Sequence, residues 1–369
     1  MSSVFAWIYQ KIVKPILFCF HPETMHTVFG KVGSFLGKFA ISRKLTRILF
    51  YFEHPTLTQT LWGLKFTNPV GLAAWFDKDI QLCQIIWDIG FGFEEVGSIT
   101  YEPYAWNPGT RLHRLKQSQW LLVNYGLKNF GVHKAIQVLK WFKNVQVPLL
   151  VSIAKTNCTR TCDLEQGIWD YQESLRLLSE ADAWDGYVIN ISCPNAFGGE
   201  DFTAPERLDQ LLITLNAVRD TNKPMLIKLP VDAPRERIQE LLDVCLGHHI
   251  QGVIISNLTK NRTTIPEKDE IEDLPWGISW KPTYDKSNAL IAKAYKYLGW
   301  RMIIVWVGGI FSAEDAYHKI KQGATLVQLI TWMIFQWPQL IWQINRWLAD
   351  LLHRDGFKNI SEAVGKNVV

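Results

Sequence analysis

Between Gly186 and Gly199 the chain reads GYVINISCPNAFGG, a short apolar run from Tyr187 to Ile191 that passes directly into polar residues, a cysteine, a proline and a glycine pair. A thiol at such a junction can serve as proton acceptor or nucleophile. Asn190 and Asn195 flank Cys193 and offer donors and acceptors without adding charge. The same residues also admit a purely structural reading, with Cys193 a small buried side chain and the asparagines turn formers. Other apolar runs end in comparable chemistry: Ala74 to Lys78, Ser98, Ser152 to Lys155, Lys228, Ser256 to Thr259, Gly308 with Gly309, and Ile330 with Thr331. Amides, hydroxyls and lysines dominate, which suits a planar, anionic, hydrogen-bonding ligand better than a metal. The closest cysteine pair, Cys158 and Cys162, has no second pair and no suitably spaced histidines, so no metal site is expected. VGGI at 307–310, followed by SAEDA, has the form of a phosphate cradle, in which backbone donors at a helix start hold an anion.

For these residues to meet, the runs that carry them must be neighbouring strands. Candidate strands are Val70–Ala74, Glu95–Thr100, Leu149–Ala154, Tyr187–Ile191, Met225–Leu229, Gly252–Ser256, Met302–Val307 and Leu326–Ile330. Helical segments follow them at Asp79–Ile89, Val132–Phe142, Leu164–Leu178, Glu206–Arg219, Glu236–Leu246, Ser287–Tyr297, Ala313–Gln322 and Pro338–Leu352. Eight alternations predict an α/β fold, a (β/α)8 TIM barrel rather than an open sheet, with the C-terminal strand ends converging on one mouth. Residues 1–52 read as a small helical domain and residues 53–369 as the barrel. The first twenty residues are apolar and aromatic but interrupted by Lys11, Lys14 and Pro15, too short and too charged to span a bilayer. They fit an interfacial helix with Phe5, Trp7, Ile8, Ile12 and Leu17 toward lipid, or an ordinary helix packed on the barrel. Residues 22–51 continue as helix, punctuated by glycines at 30, 33 and 37. A net charge of +4 over 369 residues, without a strong block, does not imply nucleic acid as a partner.

Several motifs resemble those of the dihydroorotate dehydrogenase family: NPVGLAA and DK within 68–78, GFGFEEVGSIT at 90–100, NPGTRLHRL at 107–115, NISCPN at 190–195, IKLP at 227–230, VGGI at 307–310 and GATLVQL at 323–329. HPETMH at 21–26 is similar to the segment after the membrane helix in the quinone-linked class. The resemblance implies an FMN at the barrel mouth, with its phosphate near Gly309 and Thr331 and with Lys228 beside its ring. Ala74, Lys78, Ser98, Ser152, Asn190, Ser256 and Ile330 would complete the cofactor site. It further implies that Lys78, Asn124, Asn190, Asn195 and Asn257 hold the pyrimidine ring of dihydroorotate or orotate, and that Cys193 is the base. Cysteine there is typical of the soluble classes, which pass electrons to fumarate or another acceptor. The N-terminal helices, His26 and Arg114 resemble the quinone class, and so imply quinone as acceptor and a peripheral location at the cytoplasmic face of the cell membrane.

Tryptophan departs from the pattern. The chain has 17, and the family expects glycine where Trp75, Trp280, Trp306, Trp332 and Trp337 stand, with Trp106 and Trp300 further candidates. Either the barrel has lost its cofactor, or a single cause, such as a codon that the source reads as glycine, accounts for the placement.

Overall fold

The computed structural model describes residues 7–142, 145–198, 201–255, 257–261, 276–279, 284–336 and 339–368. All eight apolar runs form strands, at Val70–Leu72, Phe93–Ile99, Leu149–Ile153, Gly186–Asn190, Met225–Leu229, Gly252–Ile255, Ile303–Val307 and Leu326–Leu329. They pair in parallel and in chain order into a closed barrel, the eighth strand against the first. The TIM barrel expected from the alternation is therefore the fold.

The side-chain period of two along each strand sorts the barrel interior into layers. Phe93, Leu150, Val188, Leu226, Ile254, Val305 and Leu326 form one buried apolar cluster. Two residues further along their strands stand Glu95, Ser152, Asn190, Lys228 and Gln328, all buried. The apolar layer is the packed floor, and the next inward position on each strand carries the polar group. Below the floor an antiparallel hairpin, Gln59–Leu61 with Leu64–Phe66, seals the barrel; the Phe66 and Phe93 rings meet edge to face at 5.6 Å. Above it a three-stranded antiparallel sheet, Leu112–Leu115, Trp120–Val123 and Gly277–Ser279, walls the mouth.

Most of the expected helices form close to their anticipated bounds, including Leu164–Ala181 and Gln339–Arg354. The segment Asp79–Ile89 does not, since only Ile86–Ile89 is helical. The Asp77 carboxylate accepts the backbone N–H groups of Gln81 and Leu82, each at 2.7 Å, and so fixes a turn where the apolar spacing suggested a helix.

N-terminal to the barrel lie a short helical stretch from Tyr9 to Leu17 and two longer helices, Pro22–Lys38 and Ala40–Phe50. The glycines at 30, 33 and 37 do not punctuate the first long helix. They lie within it and face the barrel, where a Cβ on Gly33 would come 2.3 Å from Leu82 Cδ2, so they permit close packing. Arg43 and Arg47 both bond the fully buried Asp88 carboxylate, at 2.8 and 2.7 Å. Arg111 bonds Glu23, with Nε 2.9 Å from Oε2. The helices' other face is unusually apolar: Phe35, Ile41, Leu45 and Ile48 are each more than half exposed, as are Trp7, Ile16 and Phe20 upstream. No helix among the described residues is long and apolar enough to cross a membrane.

Candidate active site

A cavity of about 140 Å³ opens at the C-terminal strand ends. Of the residues singled out from sequence, Ala74, Lys78, Ser98, Asn190, Cys193, Asn195, Lys228, Asn257, Gly309, Ile330 and Thr331 line it. Ser256 lies outside the described residues. Asn124 and Ser152 stand behind the wall: Asn107 Nδ2 donates to Asn124 Oδ1 at 2.9 Å, and the Ser152 hydroxyl lies 2.9 Å from that of Ser98.

Hydrogen bonds order the amides before any ligand enters. Asn190 Nδ2 donates to Ser98 Oγ at 2.8 Å, and Asn257 Nδ2 donates to the Ser192 carbonyl and hydroxyl at 2.8 and 2.9 Å. Asn195 bridges to the overlying sheet, donating to the Val123 carbonyl at 2.8 Å and accepting from Gly277 N–H at 3.2 Å. Cys193 is half-buried in the same wall. Beneath these neutral groups lies the fully buried Glu95, whose two oxygens are each 3.3 Å from Lys228 Nζ. Gln328 Nε2 also donates to Glu95 at 3.0 Å. The ion pair fixes the ammonium in the floor of the cavity.

Lys78 is held differently. Its Nζ donates to the Trp75 carbonyl at 3.2 Å and sits 4.0 Å from the centre of the Tyr125 ring. Burial lowers its pKa to about 7, with Asp79 opposing that shift. Behind it, Asp77, Cys83 and Glu94 bring ligand-type atoms within 4.8 Å of one another, all three residues buried. Burial pushes Asp77 up to about 6 and Glu94 well above the usual carboxylate range, so Glu94 holds a proton at neutral pH while Asp77 is mostly ionised.

A second cavity, of about 210 Å³, lies between the N-terminal helices and the barrel. Its walls are almost wholly apolar, among them Leu17, Phe29, Leu36, Phe76 and Met333, and its polar residues include His26 and Arg114. His26 Nε2 is 2.8 Å from the Phe76 carbonyl, so this nitrogen carries the proton and donates. Burial and the nearby Lys78 hold His26 well below the ordinary histidine pKa, leaving a neutral ring. Arg114 donates to the Leu17 and Phe20 carbonyls and lies over the Phe18 ring at 4.3 Å.

Residues 56–352 match the family described as Dihydroorotate dehydrogenase. The chain belongs to that family. It is 39% identical over 353 residues to the dihydroorotate dehydrogenase (quinone) of Crocosphaera subtropica, covering 93% of this chain and 89% of the relative. It is 34% identical over 376 residues to that of Trichodesmium erythraeum, covering 97% and 98%. Among solved structures, the ligand-free DHODH from Eimeria tenella superposes with a TM-score of 0.81 at 25% identity, covering 94% of this chain and 99% of that one.

The tryptophans singled out from sequence meet different fates. Trp306 is fully buried but points outward from the barrel, its Nε1 donating to the Gly308 carbonyl at 2.9 Å. Trp106 and Trp300 are exposed. Trp280, Trp337 and the Trp332 side chain lie outside the described residues. Trp75 alone of the described set stands in the cavity wall. Glu95, Gln328 and Tyr125 were not singled out from sequence; the inward period shared with Lys228 and Asn190 was the available signal for the first two.

Proposed function

We propose that this chain oxidises (S)-dihydroorotate to orotate in pyrimidine biosynthesis, with FMN as its bound cofactor and a membrane quinone as acceptor. The observation that carries the reading is the meeting of two cavities of different character. The more polar one, at the barrel mouth, sets amides and ammonium groups among apolar walls, and it shares the wall residue Leu121 with an almost wholly apolar one under the N-terminal helices.

The mouth fits FMN. Gly308 and Gly309 take φ values of 93° and 64° ahead of the helix Ala313–Lys321, and a Cβ on Gly308 would meet nothing within 4 Å, so the turn leaves room for a phosphate. Thr331 and Ile330 would stand beside that phosphate, and Lys228 beside the ring, with Ala74, Ser98 and Asn190 in the wall and Ser152 behind Ser98. FMN, when bound, supplies a two-electron acceptor for the hydride leaving carbon 6 of dihydroorotate. Cys193 takes the proton from carbon 5. Asn190, Asn195 and Asn257, with Asn124 behind, hold the ring flat by its carbonyl and N–H groups, while Lys78 meets its carboxylate. Lys228 offers a fixed positive charge where negative charge accumulates.

His26 and Arg114 serve the acceptor. With Nε2–H engaged by Phe76, the His26 Nδ1 lone pair can accept a hydrogen bond from a quinol hydroxyl. Residues 1–52 act as the membrane-associating domain, the exposed apolar face of the described helices resting at the cytoplasmic surface of the membrane.

The pH dependence of ligand binding follows from Lys78. Its folded pKa, about 7, lies below the ordinary lysine value, so the unfolded chain holds the extra proton between that pH and about 10.4, and stability rises with pH through this window. An anion bound beside it favours the charged form. Orotate affinity is therefore expected to fall as pH rises above 7, approaching about tenfold per unit, with proton uptake on binding. Calorimetry in buffers of different ionisation enthalpy measures both, and Lys78→Met should flatten the dependence.

The function itself is tested by adding dihydroorotate anaerobically to purified protein reconstituted with FMN. Bleaching of the flavin band, reversed by a short-chain quinone, is the expected result. Protein that takes up no flavin, or flavin that does not bleach, would refute the reading.

A further inference from the structure

Trp75 occupies a singular place between the two cavities. Its chain neighbour Ala74 lines the polar cavity and its other neighbour Phe76 lines the apolar one. The indole lies 5.7 Å from the Tyr125 ring and 5.8 Å from the His26 ring, centre to centre, so it stands between the mouth and the acceptor cavity. Its backbone has φ +92°, a region that side chains rarely adopt and glycine takes freely. Its N–H to the Gly97 carbonyl, at 2.9 Å, pins that conformation to the barrel. The indole Nε1 is buried with no hydrogen-bond partner among the described residues. Strained backbone and an orphaned buried donor are two independent marks of a side chain that the surroundings do not accommodate.

We infer that Trp75 is a closed partition between the cofactor cavity and the acceptor cavity, and that glycine at this position opens the passage. The inference rests on the function proposed above. Two electrons and two protons leave dihydroorotate and end on the quinone. The donor half needs only the polar cavity, whereas the acceptor half needs the reduced ring and the quinone to approach one another across position 75. The indole fills that approach, so it limits the second half.

The test compares the chain with Trp75→Gly and Trp75→Ala, each reconstituted with FMN. Flavin content, anaerobic bleaching by dihydroorotate and reoxidation by decylubiquinone are followed separately, with the thermal midpoint of the flavin-free proteins. The glycine variant is expected to be reoxidised faster, by on the order of 10²-fold, a gain larger than any change in its bleaching rate, and to melt at a higher temperature. Alanine is expected to speed reoxidation and to raise the midpoint less than glycine does, because it removes the bulk and the orphaned donor but keeps the positive φ. Equal reoxidation in all three proteins overturns the partition. So does flavin uptake by the glycine variant alone, which would make the indole a block to the cofactor itself. Absence of flavin and of bleaching in every variant instead refutes the underlying function.

Discussion

Cys193→Ala is expected to slow flavin bleaching by dihydroorotate by about 10²–10⁴-fold, the range over which a positioned general base acts, while flavin content stays unchanged. The separation follows from the wall itself. Cys193 lines the cavity, and the order of the amides around it comes from Ser98, Ser192 and Val123. Cys193→Ser is the informative companion. It keeps the approximate size but replaces the proton-accepting sulfur by an oxygen of higher intrinsic pKa, so activity should survive at a lower level and recover toward high pH. Iodoacetamide offers an orthogonal measurement. Cys19 and Cys162 are exposed and will react in any case, whereas Cys83 and Cys245 are buried. Modification of Cys193, read by peptide mass, should be slowed by orotate and should track the loss of bleaching. Inactivation that instead follows Cys162, or full activity in the alanine variant, would remove the thiol from the mechanism.

How much of this was legible before the structure depends on which force set each residue. The barrel was readable because apolar runs of five or six residues alternate with amphipathic helices, a pattern that burial enforces everywhere. The cavity set was readable because polar residues at strand ends have no reason to be there unless the ends converge. Glu95 was missed because a buried carboxylate makes sense only opposite Lys228, which lies 133 positions away in the chain. The turn at Asp77 was missed for a similar reason, since one side chain capturing two N–H groups overrode the helical spacing. The tryptophans were conspicuous in sequence, but only geometry separates Trp306, which packs outward, from Trp75, which stands in the wall. The codons at 75, 280, 306, 332 and 337 are the direct check on a common origin: a stop codon read as glycine at those positions supports it, and ordinary tryptophan codons exclude it.

The other large effect is expected at Lys228, where stability and chemistry can be separated by a second substitution. Lys228→Met leaves Glu95 fully buried with Gln328 Nε2 at 3.0 Å and the Ala74 N–H at 3.4 Å as its remaining partners. Stranding one member of a buried ion pair costs about 3–5 kcal/mol, so the single variant should melt roughly 10 °C lower and lose flavin on gel filtration. Adding Glu95→Gln removes the stranded charge, keeps the shape and lets an amide face Gln328, and most of the lost stability should return. Turnover should not return with it. The double variant has a neutral floor where the ammonium offered a fixed positive charge, and loss of one such preorganised group costs on the order of 10²–10³-fold in rate. The flavin reduction potential should fall in step, because the reduced anionic form loses its counter-charge. If the double variant regains both stability and turnover, the Lys228–Glu95 pair is a structural strut and the charge beside the ring comes from elsewhere. If it regains stability alone, the ammonium was placed there for the reaction, and the cost of burying Glu95 is what the fold bears to hold it in position.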